Sequence, residues 1–443
     1  MKKIKMMMAA ALGVLVSCGS VKSGEEVVAA SRESKVVVAY VTSWSEVMPD
    51  PQYMTHINYA FGHVNESFNG VKIDNEERLR QIVDLRKQKP ELKVLLSIGG
   101  WGSGRFSEMA ANDEYRRAFA ADCDRVVKEF ALDGIDIDWE YPTSSMANIS
   151  SSPDDTENFT LLMQDIRAAI GNEKELTLAT VASARYIDFK AILPSVDFVN
   201  IMAYDMASAP KHHSALYPSG HSGDITSDGA VTAHLKAGVP PSKLVMGMPF
   251  YGRGGDGYPS FQDYNKVGNT DTQYTEKWDE VAQVPYLADK NDTLVFGFEN
   301  PRSLAIKCQY ILDKDLLGGM YWDYSGDNEQ GDLRRTVAEN LLGKPHKAKV
   351  LVLTERGGQH GGFTDAGLRW LAAEGAKGEF QYYRDKQCQE HNGGLLVAVQ
   401  PGYSIGFPAL YLAEGSGRCV RQVYRRRPWR LDRFPSCYFA GRV

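Results

Sequence analysis

The stretch Asp133-Gly134-Ile135-Asp136-Ile137-Asp138-Trp139-Glu140 decides the fold of this 443-residue chain and most of its chemistry. Apolar and acidic residues alternate in it, the period-two pattern of a β-strand. On a strand, Asp136, Asp138 and Glu140 share one face, and Ile135, Ile137 and Trp139 share the other. Three carboxyls stacked on one face of an otherwise apolar strand resist joint ionisation. The arrangement suits a site that needs a carboxylic acid still protonated near neutral pH. A calcium-binding acidic loop or a solvated edge strand would also carry the acids. Neither gives Ile135, Ile137 and Trp139 a sheet to pack in.

Outward from this strand, short β-branched runs alternate with amphipathic helical stretches from residue 36 to 343. The strands are expected at 36–41, 57–61, 94–97, 134–138, 176–181, 198–203, 244–248 and 319–322. Helices are expected at 76–87, 114–130, 155–170 and 301–314. Eight strands alternating with helices predict an α/β fold of parallel strands, and eight suits a closed (β/α)8 TIM barrel. An open doubly wound sheet is the other reading, but no G-x-G-x-x-G turn follows the first strand. Glu140, Tyr204, Asp205, Tyr251 and Trp322 all fall at or just past the C-terminal end of a strand, the active face of a barrel.

With Tyr141 and Pro142, the opening stretch fits D-x-x-D-x-D-x-E and resembles the signature of family 18 glycoside hydrolases, the chitinase family. Further motifs follow in the family's order. Ser97-Ile98-Gly99-Gly100-Trp101 resembles its S-x-G-G strand, and Met202-Ala203-Tyr204-Asp205-Met206 its M-x-Y-D strand. Pro249-Phe250-Tyr251-Gly252-Arg253 and Gly319-Met320-Tyr321-Trp322-Asp323 resemble its last two barrel strands. The resemblance covers about residues 36 to 343. It implies a small α+β insertion at 252–300, before the last strand. Of the aromatic residues there, most are expected in the insertion's own core.

The resemblance also implies a mechanism. Glu140 is the general acid and then the base. No second carboxylate serves as nucleophile; the substrate's own 2-acetamido oxygen attacks the anomeric carbon. Asp138 orients the acetamido N–H, Asp136 shares a proton with Asp138, and Tyr204 holds the acetamido oxygen. Trp322 floors the subsite of the distorted sugar. Tyr40, Phe61, Gly100, Trp101, Tyr141, Met202, Asp205, Tyr251 and Arg253 complete the implied substrate-binding set. Asp133, of opposite parity to Asp136, is structural. Non-proline cis peptides are implied at Ala60–Phe61, Glu140–Tyr141 and Trp322–Asp323. The implied substrate is chitin or N-acetylglucosamine oligosaccharides, with no cofactor. An endo-β-N-acetylglucosaminidase acting on N-glycans and a chitin-binding lectin are the alternatives. Trp139-Glu140-Tyr141-Pro142 and Trp322 speak against the first. The intact acid at Glu140 speaks against the second.

Hydrophobic content of 43% and charge of 24% are globular values. A net charge of −6 gives no basic field for nucleic acid or an anionic membrane surface. Lys2, Lys3 and Lys5 precede an apolar run from Met6 to Val16, too short to span a bilayer. Leu15-Val16-Ser17-Cys18 resembles a bacterial lipobox. Residues 1–17 are thus expected to be a lipoprotein signal peptide, Cys18 the lipidated residue and residues 18–35 a tether. The expected location is the bacterial cell envelope, at the outer membrane, with the lipid as the only membrane contact and the protein a monomer. The six cysteines show no disulfide framework, and Cys123 and Cys308 read as isolated buried thiols. No His/Cys ligand spacing predicts a metal site. His212-His213 reads as a surface or sugar-facing loop pair.

Beyond the linker Lys344–Lys347, a strand at 350–353, a glycine loop at 357–362 and a helix at 363–373 resemble the opening of a ThuA-like domain with a flavodoxin-like sheet. Residues 344–384 are therefore expected to be an incomplete ThuA-like segment. After about Tyr383 the texture changes, and seven arginines between Arg418 and Arg433 follow no clear period. Permitted codons for residues 385–443, shifted by one base, spell an open frame with a buried strand, an amphipathic helix and a glycine turn. That reading makes residues 385–443 a frameshifted, disordered tail.

Overall fold

The computed structural model describes residues 35–343, apart from Asp256 and residues 268–272, together with the backbone of four short strands beyond residue 350. The barrel strands are β1 (Val36–Thr42), β2 (His56–Val64), β3 (Lys93–Gly99), β4 (Gly134–Asp138), β5 (Glu175–Val181), β6 (Phe198–Met202), β7 (Leu244–Pro249) and β8 (Gly318–Trp322). Each pairs in parallel with its neighbours, and β8 closes on β1. A ninth short strand, Val71–Ile73, lies antiparallel on the end of β2.

Closure buries both faces of every strand, so the strands read as near-continuous apolar runs. Two cores result. Val38, Tyr40, Phe198, Val245 and Met320 fill the barrel interior. Ile135, Ile137 and Trp139 of the opening stretch face outward into the larger core between strands and helices. There Trp139 stacks on Phe106, with ring centroids 5.3 Å apart, and meets the edge of Phe159. The parity read from the sequence is thus the parity of the fold, with the acids inside and the apolar residues outside.

The expected helices form, the one at 155–170 with the expected ends and the other three with shifted ones. The 76–87 stretch is α-helical over Glu76–Val83 and tightens to a 3-10 turn over Asp84–Lys87. The others run Asp113–Glu129, Asp155–Ile170 and Pro301–Asp313. The last begins with a capping box between Asn300 and Ser303, with Pro301 in its first turn. Cys123 and Cys308 are buried free thiols.

The insertion differs from the α+β expectation. Its described residues form a five-stranded antiparallel sheet, from Tyr251–Gly254 to Leu294–Gly297, with only a 3-10 turn at Tyr264–Lys266. Segments such as Val284–Ala288 and Leu294–Gly297 are too short for a helix of useful length and are rich in β-formers. Phe296, Phe298, Leu287 and Val295 make its core, with Tyr258, Tyr264 and Tyr274 packed against it. Trp278 lies instead under the Arg302 guanidinium, 3.7 Å from ring centroid to Cζ. Phe261 is exposed and stacks on Tyr251 at 4.7 Å.

Beyond residue 350, Leu351–Thr354 pairs antiparallel with Leu395–Ala398, and Ala409–Ala413 with Cys419–Val423. The strand expected at 350–353 is therefore present one residue on. Three strands also occur in the stretch read as a shifted frame. The signal segment, Cys18, the tether, and the remainder of residues 344–443 lie outside the described residues.

One buried ion pair ties the insertion's exit to the barrel. Lys307, on the Pro301–Asp313 helix, and Glu299 are both fully buried and in direct contact. Lys307 Nζ also donates to the Ser214 carbonyl at 2.5 Å, and Ser214 Oγ to Glu299 Oε1 at 2.6 Å. Burial pulls the Lys307 ammonium below its ordinary range, against the hold of Glu299. Removing one partner of such a pair leaves an uncompensated buried charge, while removing both does not. Lys307→Met is expected to cost about 3–5 kcal/mol in chemical denaturation, and the double variant Lys307→Met/Glu299→Leu to regain most of it. Equal losses in both would show that packing, not charge, is what matters here.

Candidate active site

The acids of β4 enter the barrel interior in register with polar residues of neighbouring strands. Ser97 of β3, Asp136 and Thr177 of β5 are direct partners across the sheet. Asp136 is fully buried and accepts hydrogen bonds from four donors. Tyr40 Oη and Ser97 Oγ reach its Oδ2 at 2.8 Å, and Thr177 Oγ1 and Asn200 Nδ2 reach its Oδ1 at 2.6 and 3.3 Å. Burial pushes its carboxyl up, and these donors pull it part of the way back.

Asp138, one pleat further along, is pushed well above the usual carboxylate range by burial, then by the charges of Glu140 and Asp136. Its Oδ1 is buried and has no hydrogen-bond partner among the described residues. Glu140, past the strand end, is pushed up to about 7 by burial, with Tyr141 working against the rise and the charge of Asp205 adding to it. Tyr204 follows β6. Burial and the charges of Asp138 and Glu140 raise its hydroxyl, so it stays a donor. In this structure it reaches Met320 Sδ at 3.8 Å.

Asp205 behaves in the opposite way. Desolvation by its surroundings would raise it, but Arg253 and His213 outweigh that and hold it far below the usual range. Arg253 grips it with two hydrogen bonds, Nε to Oδ1 at 2.7 Å and Nη2 to Oδ2 at 2.5 Å.

The rim is aromatic. Trp322 stacks on Phe61 at 5.6 Å and lies 5.6 Å from Tyr40. Trp101, 61% exposed, meets the edge of Tyr141. Tyr251 is buried beside Tyr204 and under Arg253, and Met202 packs on the same interior cluster. Gly99 lets the β3 and β4 ends meet, and Gly100 makes room for the Phe61 ring of β2. At φ +130° a Cβ on Gly99 would lie 2.0 Å from the Asp138 carbonyl oxygen, and at φ +92° one on Gly100 would strike the Phe61 ring at 2.6 Å. The bonds Ala60–Phe61, Glu140–Tyr141 and Trp322–Asp323 are cis, as the resemblance implied.

The structure brings every expected site residue from 40 to 322 to the barrel interior or its C-terminal rim. Tyr40 differs in kind, since its hydroxyl is spent on Asp136. Asp133, facing away, takes Arg86 and the Val94 amide. His212 and His213 are a correction. Both are buried, His212 against Asp279 and His213 against Asp205. Loop histidines are drawn inside when carboxylates wait there. Sequence reading missed Thr177 and Asn200, although each is a polar residue on the inward parity of an apolar strand. It also missed Trp44, 64% exposed and 6.4 Å from Trp322, and Tyr186, stacked on Tyr141 at 5.5 Å. Among the described residues no His/Cys/Asp/Glu group could hold a metal ion.

A parallel barrel with a carboxyl raised to about 7 at its rim, among aromatic rings that suit sugar faces, fits a glycoside hydrolase. The comparisons with known proteins agree: the model of glycosyl hydrolases family 18 matches residues 36–327, and the chain belongs to that family. Chitinase A1 of Niallia circulans is 29% identical over 409 residues, spanning 68% of this chain and 58% of that protein. Chitotriosidase-1 of Mus musculus is 31% identical over 350 residues, 67% of this chain and 74% of that one. A solved family 18 N-acetylglucosaminidase from Paenibacillus barengoltzii has 32% identity and a TM-score of 0.64, covering 69% of this chain and all of that one.

An acid raised to about 7 works only while protonated, so the activity it supports is full at low pH and falls as pH rises through 7. The basic limb of kcat/KM is expected there. Asp205→Asn removes a negative neighbour and is expected to move that limb to lower pH. An unmoved limb would take Asp205 out of the field at Glu140.

Proposed function

We propose that the protein is a chitinase that hydrolyses β-1,4-linked N-acetylglucosamine polymers or oligomers by substrate-assisted, retaining catalysis. The observation that carries this reading is the carboxyl ladder Asp136, Asp138, Glu140, graded from fully bonded to unpaired to poised near neutrality. Glu140 protonates the glycosidic oxygen and later deprotonates the attacking water. Asp138, whose Oδ1 has no hydrogen-bond partner among the described residues, accepts from the substrate's acetamido N–H. That contact turns the acetamido oxygen onto the anomeric carbon, where it displaces the leaving group and gives an oxazolinium ion. The Tyr204 hydroxyl donates to the acetamido oxygen. Asp136 keeps Asp138 from holding a full charge before the substrate arrives. The names of the chitinases similar to this chain support the substrate class.

Glu140→Gln keeps shape and loses the proton, so hydrolysis of chito-oligosaccharides is expected to fall by about 10²–10⁴-fold while binding persists. Near-normal turnover would remove Glu140 from the acid role. NMR of the first-formed product is expected to show the β-anomer, and a first-formed α-anomer would exclude the acetamido mechanism. Release of sugar from a high-mannose glycopeptide, with chito-oligosaccharides left intact, would favour the endo-β-N-acetylglucosaminidase reading.

The lysines at 2, 3 and 5, the apolar run and the lipobox-like Leu15–Cys18 support a lipid-anchored protein of the bacterial cell envelope. Cys18→Ser is expected to move the protein from the membrane to the soluble fraction. An unchanged partition would rule out a lipid on that sulfur.

A further inference from the structure

The His213 side chain is wholly buried, yet the acid–base chemistry described above leaves it without a role. Its Nδ1 lies 3.4 Å from Asp205 Oδ1, and neither ring nitrogen has a regular hydrogen bond among the described residues. Its ring packs on Tyr251, centroids 5.4 Å apart. The backbone repeats the link, since the Met206 amide donates to the His213 carbonyl at 3.0 Å. Asp205 itself has φ +54°, an uncommon conformation for a residue with a side chain. Its carboxylate is therefore held from two sides, by the Arg253 fork and by an imidazole.

The residues on either side of His213 fix the imidazole in turn. His212 Nε2 meets Asp279 Oδ2 at 3.2 Å, and its ring lies between Tyr286 and His221. Ser214 is locked to Glu299 and Lys307. The charged and titratable groups around His213 are thus Asp205, Arg253 and Tyr251 on its cleft side. Glu299 and Lys307 lie beyond Ser214, and Asp279 and His221 beyond His212. Lys307 and Glu299 compensate each other. Asp205 is the carboxylate His213 meets directly.

We propose that His213 is a positioning residue: as an Nδ1 donor it completes the clamp on Asp205 and limits the negative field that Asp205 casts on Glu140. An acceptor nitrogen facing a carboxylate at this distance would be repelled, so Nδ1 carries the proton. A hydrogen bond to a charged acceptor is among the stronger ones and needs such a fixed donor. The N–H dipole sets partial positive charge beside the oxygen that Arg253 Nε also binds, and so screens its field. Without it, the same anion acts on Glu140 less screened, and Glu140 then holds its proton more tightly. The inference rests on Glu140 as the acid, as proposed above.

Two variants and one spectrum test it. His213→Leu removes the donor, and the basic limb of kcat/KM is expected to move to higher pH by about 0.5–1 unit. His213→Asn keeps an N–H donor at the place of Nδ1 and is expected to return the limb to near the wild-type position. A residue that only fills space would lower kcat in both without moving the limb, and superimposed profiles for wild type and both variants overturn the proposal. ¹⁵N-imidazole NMR of the wild-type protein needs no variant that might fail to fold. The His213 signal, assigned by through-bond correlation from its ring to its own backbone, is expected to show a protonated Nδ1 across the active pH range. A ring protonated only at Nε2 overturns the clamp whatever the kinetics show. That spectrum does not depend on Glu140, whereas full activity in Glu140→Gln would defeat the acid assignment and leave the clamp standing.

Discussion

The burial of the Asp136 carboxyl inside a closed barrel is the constraint on which the rest of the site depends. A carboxylate there is costly unless its lone pairs are filled. The four donors come from β1, β3, β5 and β6, so they also fix how those strands sit around β4. This layer holds Asp138 next to an already burdened neighbour and brings Glu140 to the rim. The order of the three carboxyls along β4 is thus tied to how an interior polar layer is satisfied.

The two ends of the site are tuned in opposite senses by the same ingredients. Glu140 and Asp205 are both desolvated acids. Among the described residues no cation pairs with Glu140, which rises to about 7. Asp205 is gripped by Arg253, with His213 beside it, and stays ionised. One desolvated carboxyl is raised and the other held ionised, because the Arg253 guanidinium stands on only one of them.

Much of this was legible in the sequence because the barrel obeys two simple periodicities. Alternation in the Asp133–Glu140 stretch put the acids on one face and Trp139 on the other, and barrel closure made the first of these the interior. The eight strands were legible from apolar runs at regular spacing, and the rim residues from their place past strand ends. Thr177 and Asn200 carried the same parity signal but in weaker form, since a lone Thr or Asn on a strand is common. The insertion departed from expectation because its α+β form was implied by the resemblance, whereas its own segments are short and rich in β-formers. His212 and His213 were misplaced for a different reason. Their burial is decided by Asp279 and Asp205, which lie far along the chain or across a turn, and no local pattern announces such a pairing.

The Lys307–Glu299 pair has a consequence for how this molecule can change over generations. Either residue replaced alone strands a charge in a dry interior, while both replaced together need not. The two positions are therefore epistatic: the path from a charged to an apolar pair passes through a poorly folding intermediate. Because one lies on a barrel helix and the other at the exit of the insertion, an insertion transplanted without a carboxylate at position 299 would leave Lys307 without its counter-charge. The insertion and that helix are best regarded as one heritable unit, and a graft would need to carry both.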